Sequence, residues 1–171
     1  MSTGKDRMEA GSGMRTVTGM VVALIIAAWA GSASAQEAFD ACELFTEVEA
    51  KAALGGSPEP EPQSARGKRP RVVPTCTWWS SKDGKSTSAS ATFRFGRNAG
   101  ELQSAFDEER LNFQTKPLLI DGAPAFWSAK QGVLQVLKGR VWLVVTMGGT
   151  KPAEREEDAA RKLAEALVKK F

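Results

Sequence analysis

The sequence TCTWWSSKDGKSTSASATFRF, residues 75–95, decides the fold. Its centre, Lys82-Asp83-Gly84-Lys85, is a hairpin signal, because Asp-Gly tolerates the backbone dihedrals of a primed turn. The residues before it, 75–79, are predicted to form a strand. The residues after it, 86–95, alternate strictly: Ala89, Ala91, Phe93 and Phe95 fall on one face, and Ser88, Ser90, Thr92 and Arg94 fall on the other. This period of two predicts an antiparallel hairpin with one buried face and one hydrated face.

Further strands and helices are predicted outward from this hairpin. Three more strands are expected at residues 125–129, 133–137 and 140–147, with turns between them. The first helix should begin at a capping box of Thr46 and Glu49, with Val48 facing inward, and a second helix should begin at Asn98. The last helix should have Pro152 in its first turn and bury an apolar stripe. The stripe consists of Ala160, Leu163, Ala164, Leu167, Val168 and Phe171.

The element order is therefore α-ββ-α-βββ-α, which predicts an α+β fold. We expect a single domain with a twisted antiparallel sheet of about five strands and helices packed on one face. Between the first helix and the hairpin, residues 57–74 contain five prolines and few apolar side chains. Proline cannot continue a helix or donate to a strand ladder, so this stretch is predicted to be an extended internal linker.

The N-terminal residues 1–35 have the pattern of a secretory signal peptide. A basic start precedes an apolar run over residues 17–29, and Ala33-Ser34-Ala35 supplies the small residues of a cleavage site before Gln36. Met1, Met8 and Met14 are all plausible starts. A retained membrane anchor is the alternative, but the run is shorter than the roughly 20 residues that a spanning helix needs. Lipid attachment at Cys42 is disfavoured because Phe39-Asp40-Ala41 is not a small-residue box.

The remaining residues, 36–171, are predicted to be one periplasmic or secreted domain without a membrane span. They carry 20 Lys and Arg against 18 Asp and Glu, so the charge is nearly balanced and does not favour nucleic-acid binding. The chain has no histidine and no tyrosine. It therefore lacks the commonest general base and the commonest metal ligand, which excludes histidine-dependent catalysis and imidazole zinc sites.

The chain has two cysteines, Cys42 and Cys76. An even number in an exported protein favours a structural disulfide, which would stabilise the fold by about 4 kcal/mol in the chain-entropy model. A redox pair is the alternative, but the close C-x-x-C spacing is missing.

Two groups of residues are candidates for binding. The first is the cationic run of Arg66, Lys68, Arg69 and Arg71, which could contact an anionic surface or partner; the alternative is a solvated loop, and Glu59 and Glu61 upstream partly cancel its charge. The second is a set of aromatics, Trp78, Trp79 and Trp127, which could line a ligand groove. Because adjacent strand residues point to opposite faces, one of Trp78 and Trp79 should lie in the core and the other should not.

Candidate catalytic and cation sites are weak. Acidic clusters at residues 107–109 and 156–158 are consecutive on helices, so their carboxylates splay apart instead of facing each other across a cleft. No calcium loop, dinucleotide fingerprint or phosphate-binding loop is present in the sequence. We predict no catalytic residues, no metal and no cofactor.

Several short motifs resemble a family of small secreted bacterial proteins of unknown function, many of them lipoproteins. The motifs are Asp40-Ala41-Cys42-Glu43-Leu44-Phe45-Thr46, Ala53-Leu54-Gly55, Cys76-Thr77-Trp78 and Asp121-Gly122-Ala123-Pro124-Ala125-Phe126-Trp127. The resemblance implies that Cys42 and Cys76 pair, and it implies no catalytic residues. This chain departs from the lipoproteins in lacking a lipid-attachment cysteine.

The sequence therefore predicts a non-enzymatic exported module that binds an envelope partner or an anionic surface. The alternative is a carrier that holds a lipid or another hydrophobic ligand between helices and sheet. A histidine-free hydrolase is a third, weaker hypothesis.

Overall fold

Seven antiparallel strands form one sheet in the computed structural model, which describes residues 39–59, 62–65, 73–82 and 84–171. The strand order is β1-β2-β3-β7-β6-β5-β4. The strands are β1 (Gln63–Ala65), β2 (Thr75–Lys82), β3 (Lys85–Phe95), β4 (Thr115–Ile120), β5 (Ala123–Ser128), β6 (Val133–Lys138) and β7 (Val141–Gly148). The helices are α1 (Ala41–Leu44), α2 (Glu47–Leu54), α3 (Ala99–Asn112) and α4 (Glu157–Val168), with a 3₁₀ turn at Pro152–Glu154. The predicted α+β class with an antiparallel sheet is confirmed.

The predicted hairpin forms the centre of one half of the sheet. Lys82 pairs with Lys85, so the turn between β2 and β3 has two residues, and Gly84 takes the positive φ of 74° that such a turn requires. β3 then pairs along its length with β7, for example Thr92 opposite Val144. This pairing joins the hairpin to the β4–β7 meander.

Helices α1, α2 and α4 cover one face of the sheet. The core between these helices and the sheet contains large side chains that are completely buried, including Phe45, Phe93, Leu143 and Leu167. The predicted stripe of α4 is confirmed from Ala160 to Val168, and Phe171 is partly buried against the same core. On α2, however, Val48 is 73% exposed, so its predicted inward position is wrong. Ala50 is the α2 residue that is buried.

Helix α3 packs on the opposite face, which corrects the expectation that all helices share one face. Its Leu102 and Phe106 contact a second apolar cluster formed by Phe126, Leu137 and Trp142. The physical reason is visible in β6 and β7, where consecutive residues are buried. Strands that are apolar on both faces need a cover on each face.

Within the described residues the sheet has seven strands instead of about five, because two edge strands were not predicted. The strand β1 lies inside the predicted linker 57–74 and pairs with β2, so part of that stretch belongs to the sheet. The strand β4 contains Pro117, which argues against a central strand but is tolerated at an edge. Whether residues 36–171 form a single domain stays a prediction.

The predicted helix starts are confirmed at two places and corrected at a third. The Glu49 carboxylate accepts from the Thr46 backbone N–H at 3.0 Å, and Asn98 Oδ1 accepts from the Glu101 backbone N–H at 2.9 Å. The last helix does not begin at Pro152. Pro152 opens the 3₁₀ turn, and α4 begins at Glu157, after Arg155 has formed a bridge with Gly148 at the end of β7.

Candidate functional site

The two cysteines are bonded to each other and join α1 to β2. The Cα atoms of Cys42 and Cys76 are 5.1 Å apart, and the bond spans 34 positions of the sequence. Beside it, the Trp78 indole N–H donates to the Phe45 carbonyl oxygen at 2.9 Å. Trp78 is only 6% exposed, so its aromatic ring and its polar group are both used by the fold.

The structure places the other two candidate aromatics in different surroundings. Trp127 is 7% exposed and lies in the same core as Trp78. Trp79 points to the opposite face and is half-buried, and no described residue accepts a hydrogen bond from its indole N–H. The three tryptophans therefore do not form one groove, and Trp79 alone lies on the face away from α1, α2 and α4.

The cationic run of Arg66, Lys68, Arg69 and Arg71 lies outside the described residues, as do residues 1–38. Its proposed contact with an anionic surface stays a prediction. The described part of the predicted linker lies along the outer edge of β2, where the Glu59 backbone N–H donates to the Trp79 carbonyl oxygen at 2.7 Å.

A surface groove lies between α3 and the edge of the sheet, and sequence reasoning did not identify it. We call it the α3–β4 groove. Its volume is about 670 Å³. It is lined by Gln103, Phe106, Asp107 and Arg110 of α3, by Pro117, Leu118 and Leu119 of β4, by Pro124 and Ala125 of β5, and by Arg161 of α4.

Apolar side chains in this groove are accessible to solvent. Leu119 is 65% exposed, and Pro117 and Pro124 beside it are exposed as well. These three residues point to the α3 side of the sheet, since they alternate with the buried Ile120 and Ala125 along β4 and β5. The signal for this surface in the sequence is the run Lys-Pro-Leu-Leu-Ile at 116–120, where three apolar residues follow a proline.

The wall and rim of the groove carry charges of both signs. On α3, the Gln103 side-chain amide donates to Asp107 at 2.8 Å, and Arg110 lies 3.5 Å from the other oxygen of the same carboxylate. Arg161 reaches the rim from α4 and pairs with Glu165 at 3.2 Å. Asp107, Arg110 and Arg161 thus each have a polar partner.

The backbone edge beside the groove is protected from strand pairing. Residues that flank a two-residue hairpin loop form a hydrogen-bonded pair, here Ile120 with Ala123. It follows that the backbone groups of Leu118 and Lys116 form hydrogen bonds with β5, while those of Leu119 and Pro117 point away from the sheet. Because proline has no N–H, Pro117 interrupts the outward donors, a common protection of an exposed edge. A ligand of the groove would therefore contact side chains more than the backbone edge.

One carboxylate of the described residues has a perturbed pKa with a structural cause. Burial alone would raise the pKa of Glu49, but hydrogen bonds from Lys170 and Thr46 outweigh burial and hold the pKa below its usual 4.5. Lys170 Nζ lies 2.6 Å from Glu49 Oε1 and donates to the Leu44 carbonyl oxygen at 2.7 Å. This ion pair joins the end of α4 to the start of α2, so its role is structural.

Other signs of a reactive centre do not appear in the described ranges. No group of three or more potential metal ligands comes together there. Ser128 is completely buried, whereas Lys130 is exposed in the following turn, so the two do not form a dyad. None of the helices in the same part of the chain is both long enough and apolar enough to cross a membrane.

The fold and the groove define a class: a disulfide-bonded α+β domain with helices on both faces of an antiparallel sheet and an open apolar groove at one edge. The chain belongs to the family described as "Protein of unknown function (DUF3558)", whose model matches residues 17–170. This match confirms the predicted membership of an uncharacterised family; the individual motifs quoted for it stay an expectation. Neither a curated protein nor a solved structure matches the chain.

Proposed function

We propose that the protein is a non-enzymatic, exported binding module of the cell envelope, and that the α3–β4 groove receives an apolar segment of a partner protein. The exposure of Leu119 on the floor of a groove of about 670 Å³ carries the proposal. Clustered apolar surface in a concave site is stabilised when a partner removes it from water, by about 25 cal/mol per Å² buried. The floor supplies that surface, and the rim supplies charges that select the partner.

Two observations favour a protein partner over a carried lipid. A carrier encloses most of its ligand, whereas this groove is open at the surface. The spaces between helices and sheet are also occupied by the protein's own side chains, Phe45 and Phe93 under α1, α2 and α4, and Phe106 and Phe126 under α3. An apolar centre with a rim of both charge signs is typical of a protein interface.

Site-specific photo-crosslinking in the producing cell tests this proposal. A photoreactive phenylalanine derivative would replace Leu119, and a matched control would replace Val48, which is 73% exposed on α2, on the other side of the sheet. We expect a discrete protein adduct from position 119 after illumination and none from position 48. Intact-mass measurement of the adduct identifies its chemical class.

The other outcomes contradict the proposal in different ways. A lipid adduct at position 119 would favour the carrier hypothesis. Equal adducts at positions 119 and 48, or no adduct at position 119, would show that the groove does not receive a specific partner. Hydrolysis of generic ester, peptide or glycoside substrates by the exported protein would overturn the non-enzymatic assignment.

A further inference from the structure

The face of β2, β3 and β7 that points away from α1, α2 and α4 carries an ordered array of neutral polar side chains. Residues paired across an antiparallel sheet present their side chains on the same face. The register therefore places Thr77, Ser90 and Thr146 in one row, with Thr75 and Thr92 on one side of it and Trp79 and Ser88 on the other. We call these seven residues the hydroxyl face.

The hydroxyl groups of this face interact directly with one another. Thr77 Oγ1 donates to Ser90 Oγ at 2.9 Å, and the hydroxyls of Thr75 and Thr92 are also 2.9 Å apart. A hydroxyl has one donor and two acceptor sites, so each member of a pair keeps unused hydrogen-bonding capacity. All seven side chains are half-buried, so together they form a partly accessible surface.

The chemistry of the hydroxyl face is unusual for a hydrated sheet surface, because none of its side chains is ionisable. On this face of β3 the first formal charge is Arg94, which stacks on Trp142 with its guanidinium carbon 4.5 Å from the ring centroid. A neutral surface does not attract nucleic acid, anionic lipid or a charged peptide. It suits a neutral ligand that has many hydrogen-bonding groups of its own.

Trp79 adds an aromatic ring at one side of the array. A tryptophan combines a large apolar surface with a polar N–H, and the shielded N–H of Trp79 has no acceptor among the described residues. A sugar ring has the complementary construction, with an apolar C–H face and a rim of hydroxyls. We propose that the hydroxyl face binds a neutral polysaccharide, with one sugar stacked on Trp79 and its neighbours hydrogen-bonded to the threonine and serine rows.

Co-sedimentation of the exported protein with insoluble polysaccharides tests this inference. The probes are cellulose, chitin and insoluble α-1,4-glucan, with anionic alginate gel as the charged control. We expect binding to at least one neutral polymer that does not weaken between low and high salt. Trp79→Ala and the shape-conserving double variant Thr77→Val with Ser90→Ala should each lower the binding constant at least tenfold. Ser104→Ala, an exposed hydroxyl on α3, is the matched control and should bind like wild type.

A soluble oligosaccharide of the polymer that binds gives a second readout, because it should shift the indole N–H resonance of Trp79 and leave that of the buried Trp78 unchanged. Thermal unfolding of each variant separates loss of binding from loss of the fold. The inference fails if none of the three neutral polymers binds wild type or if the variants bind as wild type does. It also fails if the protein prefers anionic alginate and its binding weakens with salt. Concentration-dependent dimerisation that Trp79→Ala abolishes would also overturn it, since a second copy would then occupy the face.

Discussion

At the scale of single residues, Lys170 shows how one side chain fixes the meeting of two helices. Its ammonium group contacts both the Glu49 carboxylate and the Leu44 carbonyl oxygen. We expect Lys170→Met to lower the free energy of unfolding at pH 7 by about 1–3 kcal/mol, because it leaves a partly buried carboxylate without its charged donor. Denaturant titration measures this change, and Lys169→Met, at an exposed neighbouring position, should be close to neutral.

The effect of Lys170→Met should depend on pH with a defined sign. Because the folded pKa of Glu49 is lowered, its stabilising contribution is present above the unfolded pKa of about 4.5 and is lost as the pH falls through the folded value. The difference in unfolding free energy between wild type and Lys170→Met should therefore shrink as the pH falls below about 5. A difference that stays constant down to pH 2 would exclude this linkage.

The disulfide gives a second prediction at the residue scale. Replacing Cys42 and Cys76 together by Ser should lower the free energy of unfolding by about 2–5 kcal/mol, because the unfolded chain is no longer restricted by a cross-link over 34 positions. Urea denaturation of both forms measures the loss. The unfolded but unreduced wild-type protein should show no titratable thiol, and two thiols would contradict the pairing.

The orientation of the tryptophans shows what residue patterns can and cannot predict. The period of two predicted that one of Trp78 and Trp79 would be buried, but it did not say which. The disulfide resolves this choice, because Cys76 must face the helix that carries Cys42, and Trp78 shares that face at a spacing of two. The exposed Leu119 and its groove could not be predicted, since a groove depends on where a distant helix packs.

At the scale of elements, the alternation of residues 86–95 was sufficient to predict β3, and the cap at Asn98 was sufficient to predict the start of α3. The face on which α3 packs was predicted wrongly, although Val-Leu-Gln-Val-Leu at 133–137 and Val-Trp-Leu-Val-Val at 141–145 lack the alternation of a one-sided sheet. Two neighbouring strands that are apolar on both faces require a layer on each face. The edge strand β4 was missed because Pro117 disfavours a strand everywhere except at an edge.

The junction between β7 and α4 gives the prediction at this scale. Gly148 has a φ of 118°, and a Cβ there would collide with the Glu154 carbonyl oxygen in the segment that docks beside β7. We expect Gly148→Ala to destabilise the protein by about 1–3 kcal/mol for the backbone conformation alone, and more if the segment must move. Thermal unfolding measures the change.

Gly139→Ala is the matched control for the junction. Gly139 also has a positive φ, 58°, but an added Cβ there meets no atom of the described residues within 4 Å. It therefore reports the cost of a positive φ in the αL region without the collision. Equal losses of stability in the two variants would show that the close contact between β7 and the 3₁₀ turn is unimportant.

At the scale of the whole molecule, the expected export would determine which ligands the protein meets. The basic start, the short apolar run and Ala33-Ser34-Ala35 lead us to expect that signal peptidase removes residues 1–35. N-terminal sequencing of the protein from the periplasm or medium should therefore begin at Gln36. Recovery of the intact chain from the membrane fraction would instead favour a retained membrane anchor at residues 17–29.

The two proposed sites lie on the same side of the sheet, and α3 packs between them over β6 and β7. Leu119 on β4 and Thr77 on β2 are five strand positions apart, or about 24 Å at the usual spacing between strands. Substitutions at this separation that share no contacts should act independently. We expect Leu119→Glu to abolish partner binding and leave polysaccharide binding unchanged. Thr77→Val with Ser90→Ala should weaken polysaccharide binding and leave partner binding unchanged.

The adduct formed at position 119 should still sediment with the polysaccharide, which would make the molecule a bridge between an envelope polymer and a protein. If the adduct no longer sediments, the two ligands compete for one surface and the two sites are not separate.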